Sequence, residues 1–277
     1  MIYCFHIFFG GEILADNIIR EEILSFTSKA ASYNIIVLKT VNSTNSYTKE
    51  LAKGNASHET VVIADKQTDG RGRLGREFFS PEGTGIYMSV LLKPESLALD
   101  PSLLTVAAGV AVCRTINSIS KNTPSIKWVN DIFFGVKKVC GILAESTTDS
   151  KTGTINNIIV GIGLNVTTPS NVFPGKLGEI AGSLFPKNTT RNEIIAKIIE
   201  EFKSIYDSKN AEKLIEEYKS YSCVLGKKIS FTKCGETFAG IATDINIEGN
   251  LIVKLENGES VILKSGEVSL GSENFAR

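Results

Sequence analysis

Three arginines are interleaved with three glycines in the segment Gly70-Arg71-Gly72-Arg73-Leu74-Gly75-Arg76, a composition suited to closing on an anion. Glycine lets the backbone approach a ligand and frees its amide, while the arginine fork matches phosphate or carboxylate oxygens. Taken alone, the segment reads as well as an ordinary basic loop, and Gly-Arg runs also bind single-stranded nucleic acid. Further along, Lys127, Asn130, Asp131, Lys137 and Lys138 fall at the ends of expected strands, where α/β sites form. Asn130 and Asp131 could orient magnesium through oxygen ligands. The same pair also reads as a simple turn starter, and Lys138 as one more solvated lysine near a hairpin.

Several chemistries are excluded by what the chain lacks. Only two histidines occur, His6 and His58, so a Ser-His-Asp or Cys-His nucleophile or a His-ligated zinc would have to use one of them. His58 lies in the polar stretch Asn55 to Glu59 and reads as part of a solvated turn. The five cysteines, Cys4, Cys113, Cys140, Cys223 and Cys234, are scattered and never form a CxxC pair, which suits a reducing cytoplasm better than a disulfide framework. No GxxxxGK[ST] is present. Gly161-Ile162-Gly163-Leu164-Asn165 imitates part of a dinucleotide fingerprint but lacks the third glycine and the helix. Lys plus Arg and Asp plus Glu both number 30, so no global field draws the chain to nucleic acid or an anionic membrane. The apolar start, Met1 to Phe9, lacks a basic leader and is too short to span a bilayer; it reads as a packed strand or start-site remnant.

The elements that must position these groups follow from apolar spacing. Ile35 to Val41, Thr60 to Ala64, Ile86 to Leu92 and Ile155 to Val166 read as strands, Ile132 to Phe134 with Val139 to Ala144 as a hairpin. Ser43 or Thr44 can cap a helix running to Lys53, and Pro101 to Ile119 is apolar nearly all round, as a core helix is. Asp65 to Pro81 reads as one long loop. Arg191 to Tyr206 carries an apolar stripe and no chemistry, and Ala211 to Tyr221 is a second helix. Beyond Val224, short strands at Lys228 to Lys233, Thr237 to Asp244, Leu251 to Leu255 and Ser260 to Leu263 suggest a small β-barrel. The expected fold is thus α+β: a mixed sheet with packed helices over residues 35–222, a small C-terminal barrel over 223–277, and an N-terminal extension, 1–34.

Gly70 to Arg76 followed by Phe78-Phe79-Ser80-Pro81, the block Lys127 to Asp131, Lys138-Val139-Cys140-Gly141-Ile142-Leu143 and Gly161 to Asn165 occur in the order and spacing of biotin-protein ligases. Ser43-Thr44-Asn45 upstream and Gly226-Lys227-Lys228 downstream resemble that family too, over about residues 35 to 270. The resemblance implies a class II synthetase-like biotin/lipoate ligase catalytic domain with an SH3-like barrel. It implies biotin contacts from Ser43, Thr44, Asn45, Gln67, Arg71, Gly72, Arg73, Lys138 and Gly141. ATP contacts are implied from Arg71, Arg73, Arg76, Phe78, Asn130, Lys138 and Asn165, with Lys138, Arg73 and Asp131 catalytic and Asp131 as a magnesium ligand.

The implied reaction has two steps. The biotin carboxylate attacks the α-phosphate of ATP to give biotinyl-5'-AMP, and a lysine of a biotin carboxyl carrier protein, from acetyl-CoA carboxylase or a related carboxylase, attacks that anhydride. The sequence departs from the family at Phe78, where Trp is usual, at Val129, where Pro is usual and whose absence should loosen the turn, and at Gly271, where Arg often stands. The last puts a contribution of the barrel to ATP binding in question. About 35 residues without a basic cluster precede the first catalytic strand, so DNA binding is not expected; no membrane association is expected, and a homodimer is left open. A lipoate-type ligase and a non-enzymatic biotin or nucleotide binder are the competing readings.

Overall fold

The computed structural model of the chain describes residues 16–27, 32–94, 97–149, 151–233 and 235–270. The expectations for Met1 to Phe9, Cys4, His6, Cys234 and Gly271 lie outside the described residues. A first sheet has seven strands. Strand β1 (Asn34–Val41) runs parallel to β2 (Thr60–Gln67), the one parallel ladder between strands of this sheet among the described residues, and helix α2 (Thr44–Lys53) is the crossover between them. The others, β3 (Gly85–Leu92), β7 (Ile155–Asn165), β6 (Lys137–Thr148), β5 (Asp131–Phe134) and β4 (Ser125–Lys127), pair antiparallel, giving the order β1-β2-β3-β7-β6-β5-β4. The sheet is mixed, as expected.

Helices cover both faces, which is why β3 is buried along its whole length and reads as a continuous apolar run. Helix α2 packs on β2, β3 and β7; helix α3 (Leu104–Ile119) packs on β5, β6 and β7, with α5 (Arg191–Ser208) and α6 (Ala211–Tyr221) behind it. Side-chain alternation then sorts β6: Gly141, Leu143 and Glu145 face α2, while Cys140 and Ile142 face the α3 side. By length and composition the segment Pro101–Ile119 could cross a membrane, yet most of it is buried inside the protein, and it serves as the core helix. Helix α1 (Arg20–Phe26) packs on α5, and the short α4 (Leu177–Ile180) on β6.

The stretch Asp65 to Gln67 belongs to β2 and not to the loop assigned to it. Its polar side chains hid the strand because they are satisfied individually. Asp65 is buried and bonded by Arg191 at 2.6 Å and Lys39 at 2.9 Å. Arg191 also donates from Nε to Asp16 at 2.7 Å, so the start of α5, read from sequence as mere packing, carries a buried ion network. His58 is likewise no free turn residue: its Nδ1 accepts from the Lys93 amide at 3.0 Å.

The C-terminal segment forms a second, antiparallel sheet from β8 (Lys228–Lys233), β9 (Glu236–Ile245), β10 (Leu251–Leu255), β11 (Ser260–Leu263) and β12 (Val268–Leu270), ordered β11-β10-β9-β8-β12. Four of these strands were expected from the sequence, and β12 is the addition. A pairing of β11 with β12 that would close a barrel is not among the ladders of the described residues.

Candidate active site

The first cluster lies where α2 begins. Ser43 caps the helix, its Oγ accepting from the Ser46 amide, so Thr44 and Asn45 in the first turn aim at the sheet. Thr44 donates from N and Oγ1 to Gln67 Oε1, at 2.8 and 3.1 Å. Gln67 in turn donates from Nε2 to Ser80 Oγ at 2.8 Å, and the second hydrogen of that amide remains for a ligand. Ser89 Oγ donates to Asn45 Oδ1 at 2.6 Å and lies 2.8 Å from Thr44 Oγ1. Gly161 makes this approach feasible, because a Cβ there would stand 2.2 Å from Asn45 Oδ1.

Asn45 spends both amide hydrogens inside the protein, on Leu143 O at 3.2 Å and Glu145 Oε2 at 2.8 Å. In this arrangement it is a scaffold residue for the polar pocket rather than a donor to a ligand.

The second cluster is built by the hairpin β5-β6. Lys138 Nζ stands 2.7 Å from Asp131 Oδ1. A Cβ on Gly141 would lie 3.6 Å from Lys138 Cε and 3.3 Å from Phe78 Cε2, and a Cβ on Gly163 only 2.6 Å from Phe78 Cε1. The two glycines of neighbouring strands, paired in register, thus leave a shelf on which the Phe78 ring lies, with the Lys138 stem at its edge. Phe78 meets Tyr87 edge-on at 6.4 Å. Asn165, at the end of β7, is buried and donates to Gly182 O at 3.1 Å, while its Oδ1 is buried with no partner. A buried acceptor left open is costly unless a ligand supplies the donor.

The arginine-glycine segment folds as a tight turn over these clusters. Gly72 N donates to Arg76 O at 2.7 Å, Arg76 N to Arg73 O at 3.1 Å and Phe78 N to Gly70 O at 2.8 Å. A Cβ on Gly70 would meet Phe78 O at 2.2 Å, so only glycine fits there. Leu74, at φ 55° and largely exposed, and Gly75, at φ 74°, form the tip.

The three arginines diverge. Arg71 pairs with Glu145 at 3.4 Å, and Arg76 with Glu267 of the C-terminal sheet at 2.7 Å. Arg73 donates to Asn130 Oδ1 at 2.9 Å, an amide and not a carboxylate, which leaves its charge available to a ligand. Arg73 and Asn130 border a cleft of about 200 Å³ that also takes in Ser102, Glu248 and Lys264. The sequence set is therefore brought together except for Arg76, which faces the C-terminal sheet.

Two side chains join the site that sequence reasoning missed. Ser89 was visible as the one small polar side chain inside the apolar run of β3. Glu145 was visible as a charge directly after the strand read as Val139 to Ala144. Burial pushes the Glu145 carboxyl up, but hydrogen bonds from Lys49 and Asn45 and the charges of Lys49 and Arg71 outweigh it and hold it below the ordinary carboxylate range. Val129 does not leave the turn loose: its carbonyl accepts from Tyr218 OH at 2.9 Å, and the Trp128 indole donates to Gly249 O at 2.9 Å.

Known proteins match this arrangement along most of the chain. The profile of the Biotin/lipoate A/B protein ligase family covers residues 37–165 and that of the Biotin protein ligase C terminal domain residues 224–271. The bifunctional ligase/repressor BirA of Bacillus spizizenii is 35% identical over 268 residues, 94% of this chain and 76% of that protein. The biotin--[acetyl-CoA-carboxylase] ligase of Mycobacterium tuberculosis is 29% identical over 78% of this chain and 81% of its own length. Among solved structures, the biotin protein ligase from Aquifex aeolicus in complex with biotin and ATP superposes with a TM-score of 0.71 at 31% identity, covering 86% of this chain and 98% of that one. The shared profiles, the level of identity and the common fold agree: the chain belongs to the biotin protein ligase family.

Proposed function

We propose that the chain activates biotin with ATP and transfers it to a lysine of a biotin carboxyl carrier protein. The observation that carries this reading is the Gly141–Gly163 shelf, where an aromatic ring and the Lys138 cation border one slot beside the polar pocket of Ser43, Thr44 and Gln67. A polar pocket can satisfy a buried ureido group, and a shelf with an adjoining cation suits an adenylate. Phe78 offers the adenine a smaller ring than Trp would, and the open Asn165 Oδ1 suits its amino group.

In the first step a biotin carboxylate oxygen bonds to the α-phosphorus and pyrophosphate leaves. Repulsion between these anions is offset by Lys138 and Arg73, with Arg71 in support; Gly72 and Gly141 let the backbone come close. In the second step a neutral carrier amine bonds to the anhydride carbonyl, the carbonyl–phosphate bond breaks and AMP leaves, and the amine's proton passes to Asp131. The turn at Gly70 to Arg76 keeps water from the anhydride.

Magnesium fits as an ion carried on the ATP phosphates. Among the described residues no group of three or more His, Cys, Asp or Glu side chains converges. Asp131 is the one carboxylate assigned to it, and magnesium often takes only one or two alongside phosphate oxygens. It would supply charge neutralisation there.

We place the catalytic unit at 35–222 and the smaller unit at 223–277, in the cytoplasm, where the free thiols Cys113, Cys140 and Cys223 are stable. We assign no DNA-binding role to residues 1–34. Release of pyrophosphate from ATP tests the reading: it is expected with biotin and not with lipoate. Release with lipoate alone favours a lipoate-type ligase, and none with either favours a binder.

A further inference from the structure

Among the described residues Glu145 is the carboxylate bonded to Asn45 of the polar pocket, and it is shared by three partners from two different elements. From α2, Asn45 Nδ2 donates to Oε2 at 2.8 Å and Lys49 Nζ to Oε1 at 2.6 Å. From the arginine-glycine turn, Arg71 NH1 lies 3.4 Å from the same Oε1. The Glu145 side chain is 17% exposed against 45% for Arg71, so the carboxylate is an inner anchor reached by an arm from outside.

The anchor has two effects. It fixes which way the Asn45 amide points: with Nδ2 drawn to the carboxylate, Oδ1 must face Ser89 Oγ at 2.6 Å, and the Ser89 and Thr44 hydroxyls take their places from it. It also holds Arg71, near the start of the turn, by charge. Arg71 is otherwise fastened through its backbone bridge to Glu77.

Resting on the assignment of this pocket to biotin, we infer that Glu145 is a positioning residue that couples closure of the arginine-glycine turn to the orientation of the biotin pocket. It clamps the turn through Arg71 and sets the pocket's hydrogen-bond polarity through Asn45. A neutral isostere breaks both at once. The glutamine amide can donate to Asn45 Oδ1 and reverse that amide, and it gives Arg71 no counter-charge.

The test uses the full chain with biotin as probe. Glu145→Gln is expected to weaken biotin binding about tenfold, the scale of one charge-assisted hydrogen bond. Arg71→Gln should cost a similar factor, and the double variant little beyond the larger single effect, because both remove one coupling. Without ligand, tryptic cleavage after Arg73 and Arg76 should be several-fold faster in either single variant. Multiplicative losses in the double variant, or cleavage at the wild-type rate in the single ones, would overturn the inference. Arg71→Gln alters only an exposed side chain and keeps the test open if Glu145→Gln fails to fold. Should wild type bind no biotin, the biotin assignment falls, while the cleavage rates still judge the clamp.

Discussion

Lys138 Nζ stands 2.7 Å from Asp131 Oδ1 across the β5-β6 hairpin, so the cation proposed to meet the substrate's phosphate carries its own counter-ion. Both side chains are partly exposed, and an arriving anion can compete for the ammonium without unfolding the hairpin. Lys138→Ala removes that cation and leaves an unpaired carboxylate facing the phosphate. Biotinyl-5'-AMP formation is expected to fall by about a hundredfold or more, the scale of losing one group aimed at developing charge. Adenylate yield measured in a single turnover checks it, and an unchanged yield would remove Lys138 from its assigned role.

Arg73 is held by an amide oxygen, Asn130 Oδ1 at 2.9 Å, and can turn its charge to the adenylate at little cost. Arg73→Ala should let the intermediate escape, shortening its bound lifetime by roughly tenfold. Trapping released adenylate with hydroxylamine reads this out. Retention equal to that of wild type contradicts it.

Gly163 leaves room for the Phe78 ring, and a Cβ there would stand 2.6 Å from Phe78 Cε1. In Gly163→Ala the ring must shift, a misfit that typically costs about 1–3 kcal/mol. Since Phe78 is assigned to ATP and not to biotin, KM for ATP should rise while biotin affinity stays within about twofold of wild type. A larger loss for biotin than for ATP would reverse the assignment.

Asp65 ties β2 to α5. Burial raises its carboxyl, but bonds from Arg191 and Lys39 more than offset this and leave it below the ordinary range. A carboxylate whose folded pKa is depressed contributes stability that is complete above its unfolded value, about 4, and is lost as pH falls through the folded value. Asp65→Asn should therefore lower stability at neutral pH by about 1–3 kcal/mol. It should also flatten the loss of stability on acidification, as followed by urea unfolding between neutral and acid pH. Parallel pH profiles for the two proteins count against the network.

Much of this was legible from sequence because it rests on periodicity and local chemistry. Apolar runs of strand length gave β1, β3 and β7, the Ser43 cap gave the start of α2, and the family resemblance marked Gly141 as a place where the backbone is approached closely. The end of β2 was missed because Asp65, Lys66 and Gln67 look like loop residues until Arg191 is seen, more than a hundred positions away, satisfying the first of them. Asn45 was expected as a ligand contact from the family resemblance; that its two amide hydrogens bond Leu143 and Glu145 was not legible, because only the fold brings those partners near. Arg76 was placed beside its neighbours by the family resemblance, and its pairing with Glu267 at 2.7 Å could not be read from the segment itself, because the partner lies in the C-terminal sheet.

The central claim is group transfer to a lysine, and labelled biotin tests it most directly. The chain is incubated with ATP, labelled biotin and a purified biotin carboxyl carrier domain, beside the same domain with its acceptor lysine changed to arginine. Label is expected on the intact carrier alone, in a linkage that survives denaturation, and absent when ATP is withheld. Label on neither carrier while the adenylate accumulates, or on both equally, would contradict the account.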